Sequence, residues 1–358
     1  MGKTGVLTPT AVFEPVEIDG TLVGRASLHN LSVMKELGIV SKYQEIGVYK
    51  ANMIIPQIDY AEKMDCVTVE EEIEIPDVCP ICGGKTEIVK DNDTEVLICT
   101  NPDCKGKLLG MLSHFCSKNA INIEGMSEAT LQFLIDRGWV KSFKDIYKLD
   151  YYRAPWKEYD GFGDKSVDKL LDNIQKSRNT TLDRFIYALC IPLIGRTASK
   201  EIKRYFSGMN HQCDGFVDFM NFVEDSLKEE DKINLDFLND FGEKMSESLT
   251  KFFKKHLEEV DKLAKEFILI DRLTNTQKSN VDLSNKTFVI TGSLSHYKNR
   301  DVLVSVIEEL GGKASGSVSA KTSYLINNDT ESNSSKNKKA KELGIPIISE
   351  EDFLKMIS

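Results

Sequence analysis

Cys79-Pro80-Ile81-Cys82 opens the stretch on which the chain is organised: sixteen residues then intervene before Cys99, and four more before Cys104. Two close pairs of thiols separated by a short loop suit a tetrahedral Zn²⁺, each pair gripping the metal from one turn while the loop brings the second pair round. Gly83-Gly84 relax the turn after the first pair, and Glu87 to Ile98, with Val89, Val96 and Ile98 apolar, reads as a small hairpin. So short a segment buries little core, and metal binding would supply most of its folding free energy, on the order of 10 kcal/mol or more. Four thiolates leave no position for water, so the site is structural rather than catalytic. Four unrelated reduced cysteines, or two disulfides, are the competing readings.

With 358 residues, 41% hydrophobic and 28% charged, the chain has the make-up of a soluble globular protein with room for about two to four domains. No run of about eighteen apolar residues occurs and the N-terminus lacks a basic-then-apolar signal pattern, which argues against a membrane span or export and for the cytoplasm. Cys66, Cys116, Cys190 and Cys213 are widely spaced and read as core or inert thiols of a reducing compartment. The formal net charge of -10 is unevenly spread: residues 105–210 hold eighteen Lys/Arg against twelve Asp/Glu, a local +6, while residues 1–76 and 211–280 are each net -6. A polyanion would meet the basic stretch, with the acidic faces turned away.

Residues 1–76 read as strands at Val6-Leu7, Ala11 to Ile18, Thr21 to Ala26, Gly47 to Tyr49 and Met53 to Ile58, with one helix near Ser32 to Leu37. That pattern predicts a small Greek-key β-barrel of the oligonucleotide-binding (OB) kind. Lys3, Arg25, His29 and Lys50 are available for phosphate contact, though a solvated barrel face carries such residues too.

Beyond the cysteines apolar residues recur at helical spacing, and one pattern repeats. Ile123-Glu124-Gly125-Met126-Ser127, Tyr159-Asp160-Gly161-Phe162-Gly163-Asp164-Lys165-Ser166, Ile191-Pro192-Leu193-Ile194-Gly195-Arg196-Thr197-Ala198 and Leu238-Asn239-Asp240-Phe241-Gly242-Glu243-Lys244 each precede an amphipathic helix. The repeats make residues 106–270 an all-α helix-hairpin-helix array. In each hairpin glycine permits a left-handed or closely approached backbone, and the next helix begins with unpaired amides that favour a phosphate oxygen. Such a reader touches the duplex backbone rather than the bases. The predicted DNA contacts are Gly125, Ser127, Gly161, Gly163, Lys165, Ser166, Gly195, Arg196 and Thr197, with Arg25 and Lys50 of the barrel. Glycine capping of helix junctions is the competing reading. It fits the fourth hairpin best, which lies among acids and lacks a second glycine.

Residues 271–280 are polar and aperiodic and read as a linker. In residues 281–358, strands at Lys286 to Thr291, Ala314 to Ser317, Tyr324 to Ile326 and Pro346 to Ile348 alternate with helices at Arg300 to Leu310, Ser335 to Leu343 and from Ser349. Alternation predicts a small α/β domain whose mostly parallel sheet is covered on both faces. Thr291-Gly292 with Lys336 or Lys339 would make an anion pocket; turn chemistry beside a solvated lysine face accounts for the same residues equally well.

Barrel, four-cysteine knot, helical hairpins and small α/β domain, in that order, resemble the C-terminal portion of bacterial NAD-dependent DNA ligase. The resemblance rests on Lys3-Thr4-Gly5, Leu7-Thr8-Pro9, Glu14-Pro15-Val16, Ala26-Ser27-Leu28-His29-Asn30, Ile54-Ile55-Pro56, the four cysteines, Thr291-Gly292-Ser293-Leu294, Ser335-Lys336, Lys339-Ala340 and Glu342-Leu343-Gly344. It covers essentially the whole chain. It implies an OB fold at 1–76, a zinc finger with Cys79, Cys82, Cys99 and Cys104 at 77–105, a helix-hairpin-helix domain at 106–270, and a BRCT domain at 281–358 beyond the linker.

The family seals nicks by passing AMP from NAD⁺ through a lysine to the 5′-phosphate, which needs a Lys-x-Asp-Gly nucleophile motif and Mg²⁺. That motif is absent: Lys157-Glu158-Tyr159-Asp160-Gly161 has one residue too many. The family's adenylation domain precedes the point matching Met1, so the sequence reads as a truncation, an engineered boundary or a split gene, and alone forms no enzyme–AMP adduct. Zn²⁺ is expected as the structural cofactor, and NAD⁺ and Mg²⁺ only through the absent catalytic portion. Asn52 and Met53 stand where the family has Gly and Asp, Phe353 where many BRCT domains have tryptophan, and Ser127 where a second glycine is expected. The resemblance implies a part that clamps nicked double-stranded DNA in replication and repair, in the bacterial cytoplasm at the nucleoid. The adenylation domain or other repair proteins would meet its BRCT domain, and no membrane is involved. A stand-alone, non-catalytic adaptor derived from a ligase is the alternative.

Overall fold

Strand β1 (Val6–Leu7) leads into two hairpins, β2 (Thr10–Ile18) with β3 (Thr21–Ser27) and β4 (Ile46–Ala51) with β5 (Ile55–Ala61), separated by helix α1 (Leu31–Glu36). The first hairpin turns at Asp19-Gly20, both at positive φ (49° and 71°), the conformation that an Asp-Gly pair suits. Asn30 caps α1, its side chain accepting from the Val33 N–H. The computed structural model describes residues 1–52, 54–63, 72–91, 93–209, 215–269, 281, 283–284, 286–297 and 300–357. Met53, Cys66, Cys213 and the expected linker lie outside the described residues.

Strands β6 (Thr86–Asp91) and β7 (Thr94–Cys99) form the hairpin expected between the thiol pairs. Leu7, expected in the barrel, packs against the barrel core, and its strand is shared with the hairpin of the knot. β1 runs antiparallel to β7, with Val6 opposite Ile98 and Leu7 opposite Leu97. The reason is steric: the segment before β1 lies against helix α2 (Lys105–Cys116), where a Cβ at Gly110 would stand 2.7 Å from the Lys3 nitrogen and one at Gly106 would stand 2.8 Å from Met1 Sδ. Two glycines one turn apart let the chains touch. Among the described residues β2–β3 and β4–β5 are separate two-stranded ladders facing one core of Ala26, Leu28, Leu31, Met34, Ile39 and Ile58, which Leu97 of β7 completes.

Helices α3 (Glu128–Asp136), α4 (Arg153–Lys157), α5 (Asp164–Lys176), α6 (Leu182–Ala188), α7 (Arg196–Met209), α8 (Gly215–Glu229) and α9 (Glu243–Ala264) follow, with a 3-10 helix at Phe143–Tyr152 before α4. Strand β8 (Asn179–Thr180) pairs in parallel with β9 (Ile268–Leu269), returning the chain after α9 to the exit of α5. One apolar core containing Phe115, Leu134, Trp156, Phe185, Phe219 and Phe253 runs through these helices. The barrel, knot and helical array, expected as successive domains, pack together as one unit, Met1–Arg272, and Leu273–Ser358 is a second.

In the second unit, β10 (Thr287–Ile290), α10 (Arg300–Glu309), β11 (Lys313–Ser315), β12 (Tyr324–Ile326), α11 (Ser335–Glu342), β13 (Ile347–Ile348) and α12 (Glu350–Ile357) build a parallel sheet of order β11-β10-β12-β13. Alternation along β10 divides its side chains: Phe288 and Ile290 pack with Leu303, Ile307 and Phe353, and Val289 with Leu325 and Ala340. Phe353 is fully buried with its ring 5.6 Å from that of Phe288, so it fills the place where the resemblance expects tryptophan. Among the described residues no helix is long and apolar enough to cross a membrane.

Candidate metal centre and nucleic-acid interface

Cys79 and Cys82 lie on a turn pinned by the Val78–Lys85 bridge, Cys99 ends β7, and Cys104 is the N-cap of α2. The Sγ atoms of Cys79 and Cys104 are 3.9 Å apart and those of Cys82 and Cys99 3.7 Å, and all four lie within 4.8 Å of one another. Sulfurs at tetrahedral corners about 2.3 Å from a metal stand about 3.8 Å apart, so the donor set fits a metal ion. The Gly84 N–H, and then the Asn101 side chain, hold the Cys82 thiol down at about 6, while burial pushes Cys99 up to about 12 and raises Cys104. A cation among them would supply the charge stabilisation that burial denies the thiolates. Asn101, whose Nδ2 is 3.5 Å from Cys82 Sγ, was not found from the sequence: nothing in its position two after Cys99 marks it as a donor to the other arm. Cys116 and Cys190 are free thiols raised by burial, as inert cysteines should be.

The four predicted turns share one backbone geometry. Gly125 (φ 85°), Gly161 (86°), Leu193 (64°) and Asp240 (57°) are each left-handed and each stand three positions before the first residue of a helix, α3, α5, α7 or α9. The residue just before each helix is Ser127, Gly163, Gly195 or Gly242. The Ser127 hydroxyl accepts from the Thr130 N–H at 3.1 Å, so the first turn caps its own helix. Gly163 and Gly242 give no side-chain cap to α5 and α9. Lys165, Ser166, Arg196 and Thr197 are exposed in the first turns of α5 and α7. The fourth turn, read as the deviant one, has the backbone of the others, amid Asp236, Asp240 and Glu243.

Leu193 is the anomaly, left-handed and 63% exposed. A β-carbon in that conformation costs about 1–2 kcal/mol, and so exposed a side chain recovers little by packing. Leu193→Gly is therefore expected to stabilise the first unit by about 0.5–1 kcal/mol, read as a rise in melting temperature. A fall would mean that the leucine packs more than its exposure indicates.

On the two-hairpin module an open groove of about 840 Å³ is lined by Val12, Leu22, Arg25, Lys50, Ile54 and Pro56 among others. Arg25 is exposed, Lys50 donates to the Ile18 carbonyl, and His29 is exposed at φ 58°. Lys3, expected on the barrel surface, instead lies half-buried 3.3 Å from His114 Nδ1 on α2. In the second unit Lys336 Nζ donates to the Ile290 carbonyl at 3.3 Å, beside Thr291-Gly292, and its pKa is lowered by burial and then by Arg300. Gly292 is required there, since φ is 77° and a Cβ would stand 2.3 Å from Asn327 Oδ1. Lys339 is exposed one turn along α11. Thr291, Gly292 and Lys336 are thus brought together, and Lys339 stands apart.

Residues 1–66 match the model of the NAD-dependent DNA ligase OB-fold domain, and residues 281–357 that of the BRCA1 C Terminus (BRCT) domain. The chain is 42% identical to the DNA ligase of Ruminiclostridium cellulolyticum over 99% of its own length and 51% of that protein's. It is 42% identical to the DNA ligase of Lachnoclostridium phytofermentans, over 99% and 52%, and 36% identical to that of Thermosipho africanus, over 100% and 50%. The chain spans about half the length of the curated relatives it matches. With an OB-fold domain of the ligase type at one end, a BRCT domain at the other and continuous similarity between them, the chain corresponds to the C-terminal portion of an NAD-dependent DNA ligase.

Proposed function

We propose that the chain is the DNA-clamping portion of the ligase, acting in the cytoplasm, and that residues 106–270 are a helix-hairpin-helix domain whose turns hold the sugar-phosphate backbone of nicked duplex. The observation that carries this reading is a set of glycines their own protein does not need. Gly163, Gly195 and Gly242 have no left-handed φ, and a Cβ on any of them would meet nothing within 4 Å. A Ser or Asp at such a position would add a cap of its own and stabilise the helix by roughly a few tenths of a kcal/mol. Glycine instead leaves the amides open to an acceptor that comes close, as a phosphate does. The first turn, capped by Ser127, has fewer amides to offer. Arg25 and Lys50 beside the barrel groove, and Lys165, Ser166, Arg196 and Thr197 beside the turns, add side-chain contacts.

The all-sulfur, closed donor set favours zinc. It joins the barrel, through β7 and β1, to the helical array, through Cys104 at the start of α2. The 358 residues contain no Lys-x-Asp-Gly sequence, so NAD⁺ and Mg²⁺ act through a nucleotidyl-transfer portion outside them. Thr291, Gly292 and Lys336 are an anion pocket through which the BRCT domain meets that portion or another repair protein.

Gly163→Val tests the DNA reading. The open space at this position admits the side chain, and valine's poorer capping should lower stability by no more than about 1 kcal/mol, read as a small fall in melting temperature. Affinity for nicked duplex, read by fluorescence anisotropy at low salt, should fall by about tenfold, the loss of one charge-assisted hydrogen bond. The loss should be alike for two unrelated sequences. Unchanged affinity would return Gly163 to helix capping.

A further inference from the structure

The second glycine turn sits among carboxylates. Asp160 and Asp164 flank Gly161-Phe162-Gly163, and a phosphate approaching the amides would meet both. Two nearby cations are already engaged: Lys157 lies 3.0 Å from Asp164 and 3.0 Å from Asp168, and Arg153 lies 2.9 Å from Asp150 and 2.9 Å from Asp168. Asp164 is neutralised by Lys157, which leaves Asp160 facing an incoming phosphate, and exposed Lys165 is joined there by a second cation.

Arg137, the C-cap of α3, is exposed and forms no ion pair among the described residues. The adjacent Asp136 is turned to Gln132 at 2.9 Å and Lys105 at 3.5 Å. The Arg137 guanidinium carbon stands 3.5 Å from the ring centre of Phe133 and 3.9 Å from that of Tyr159. Tyr159 opens the second turn, and Phe162 within the turn packs on Phe133 with ring centres 4.6 Å apart. The rings therefore fasten the arginine to the turn. Stacking occupies the faces of a guanidinium and leaves its in-plane N–H donors for a planar or tetrahedral oxyanion. Among the described residues Nη1 alone is engaged, donating to the Phe133 carbonyl at 3.4 Å. Much of the rotamer freedom that an arginine loses on binding is lost beforehand, which favours affinity.

We propose that Arg137 is a phosphate-binding residue of the second turn, its guanidinium presented by Phe133 and Tyr159 to a phosphodiester of the strand that lies on Gly161-Phe162-Gly163. This rests on the DNA-binding reading above. The contact is to backbone, so it is blind to sequence, and it offsets Asp160 at the mouth of the turn.

Full-chain variants Arg137→Ala, Arg137→Gln and Arg137→Lys, beside Gly163→Val, are titrated against nicked duplex over a range of salt. Arg137→Ala and Arg137→Gln should bind about tenfold more weakly, and the slope of log K against log salt should become shallower by about 0.9, the counterion share of one phosphate contact. Arg137→Lys, which keeps the charge and loses the fork, should retain the slope and recover part of the affinity. Should Arg137→Ala melt early, Arg137→Gln decides, because its stem and amide still cover the rings. If Arg137→Gln binds like the parent with an unaltered slope while Gly163→Val binds more weakly, Arg137 merely packs on its rings and the proposal falls alone. If neither position matters and the chain shows no preference for duplex, the DNA-binding reading fails and this inference with it.

Discussion

Stripping the proposed zinc with a chelator unfolds residues 77–105, and Cys99→Ser does so with no chelator present. The expected loss is on the order of 10 kcal/mol, comparable to the entire stability of an ordinary domain. It is this large because little else holds the segment. Among the described residues its buried ones are Cys79, Cys99 and Cys104 with Leu97 and Thr86, and Leu97 packs in the barrel core rather than in a core of its own. Hydrogen exchange should show amide protection lost across β6 and β7. The helical array, whose core of Leu134, Trp156 and Phe185 owes nothing to the metal, should keep its far-ultraviolet signal. Two further losses follow from topology. β1 has its ladder partner on β7, and α2 starts at a metal ligand, so barrel and array come apart and nicked-duplex affinity drops with the metal. Restored zinc should reverse all three changes. Amide protection that persists when four thiols titrate freely would mean that the cysteines are merely reduced side chains.

What the sequence discloses depends on how far apart the interacting residues lie. The strands of the second unit are predicted within about two residues because each is a short apolar run closed by local turn signals, Phe288-Val289-Ile290 before Thr291-Gly292 being the clearest. The thiol set is equally plain, since its spacing is the constraint. The partner of β1 is not: Val6-Leu7 carries no register information, and its place depends on Gly106 and Gly110 admitting the backbone of Gly2 and Lys3, a contact between segments about a hundred residues apart. The same limit hides Arg137. Its i,i+4 relation to Phe133 is visible on a helix, but Tyr159 is supplied by the next turn. For the glycine turns the wrong invariant was sought. A pair of glycines makes the first and fourth turns look irregular, whereas the constant is a left-handed residue three positions before the helix, which Leu193 and Asp240 also adopt.

Acid should release the second unit before the first, and Glu350→Gln should remove that difference by making the unit weak at every pH. Glu350 is fully buried at the start of α12. Its carboxylate accepts from the N–H groups of Ser295 at 2.6 Å, His296 at 3.2 Å and Tyr297 at 3.1 Å, from Ser295 Oγ at 3.0 Å and from Asn328 Nδ2. Burial alone would raise its pKa, but these donors outweigh burial and hold it at about 2, against an ordinary 4.5. A carboxylate depressed by folding stabilises fully above its unfolded pKa and ceases to do so as pH falls through the folded value. The window therefore runs from 4.5 down to about 2, and the contribution lost across it is about 3 kcal/mol. Glu350→Gln keeps the shape but turns an amide donor toward a ring of donors, at a cost of about 3 kcal/mol or more. Both tryptophans, Trp139 and Trp156, belong to the first unit. Tryptophan fluorescence thus follows that unit alone, and urea melts read by far-ultraviolet dichroism add the second. A second-unit transition in Glu350→Gln with the parent's stability and acid sensitivity would show that this carboxylate is not the ionised anchor. The consequence reaches the proposed anion pocket, because Asn328 also donates to the Ser293 carbonyl at 3.2 Å, just beyond Thr291-Gly292. When Glu350 takes up its proton, the loop after Gly292 and the turn after β12 lose their common acceptor, and anion affinity there should fall over the same pH range as stability.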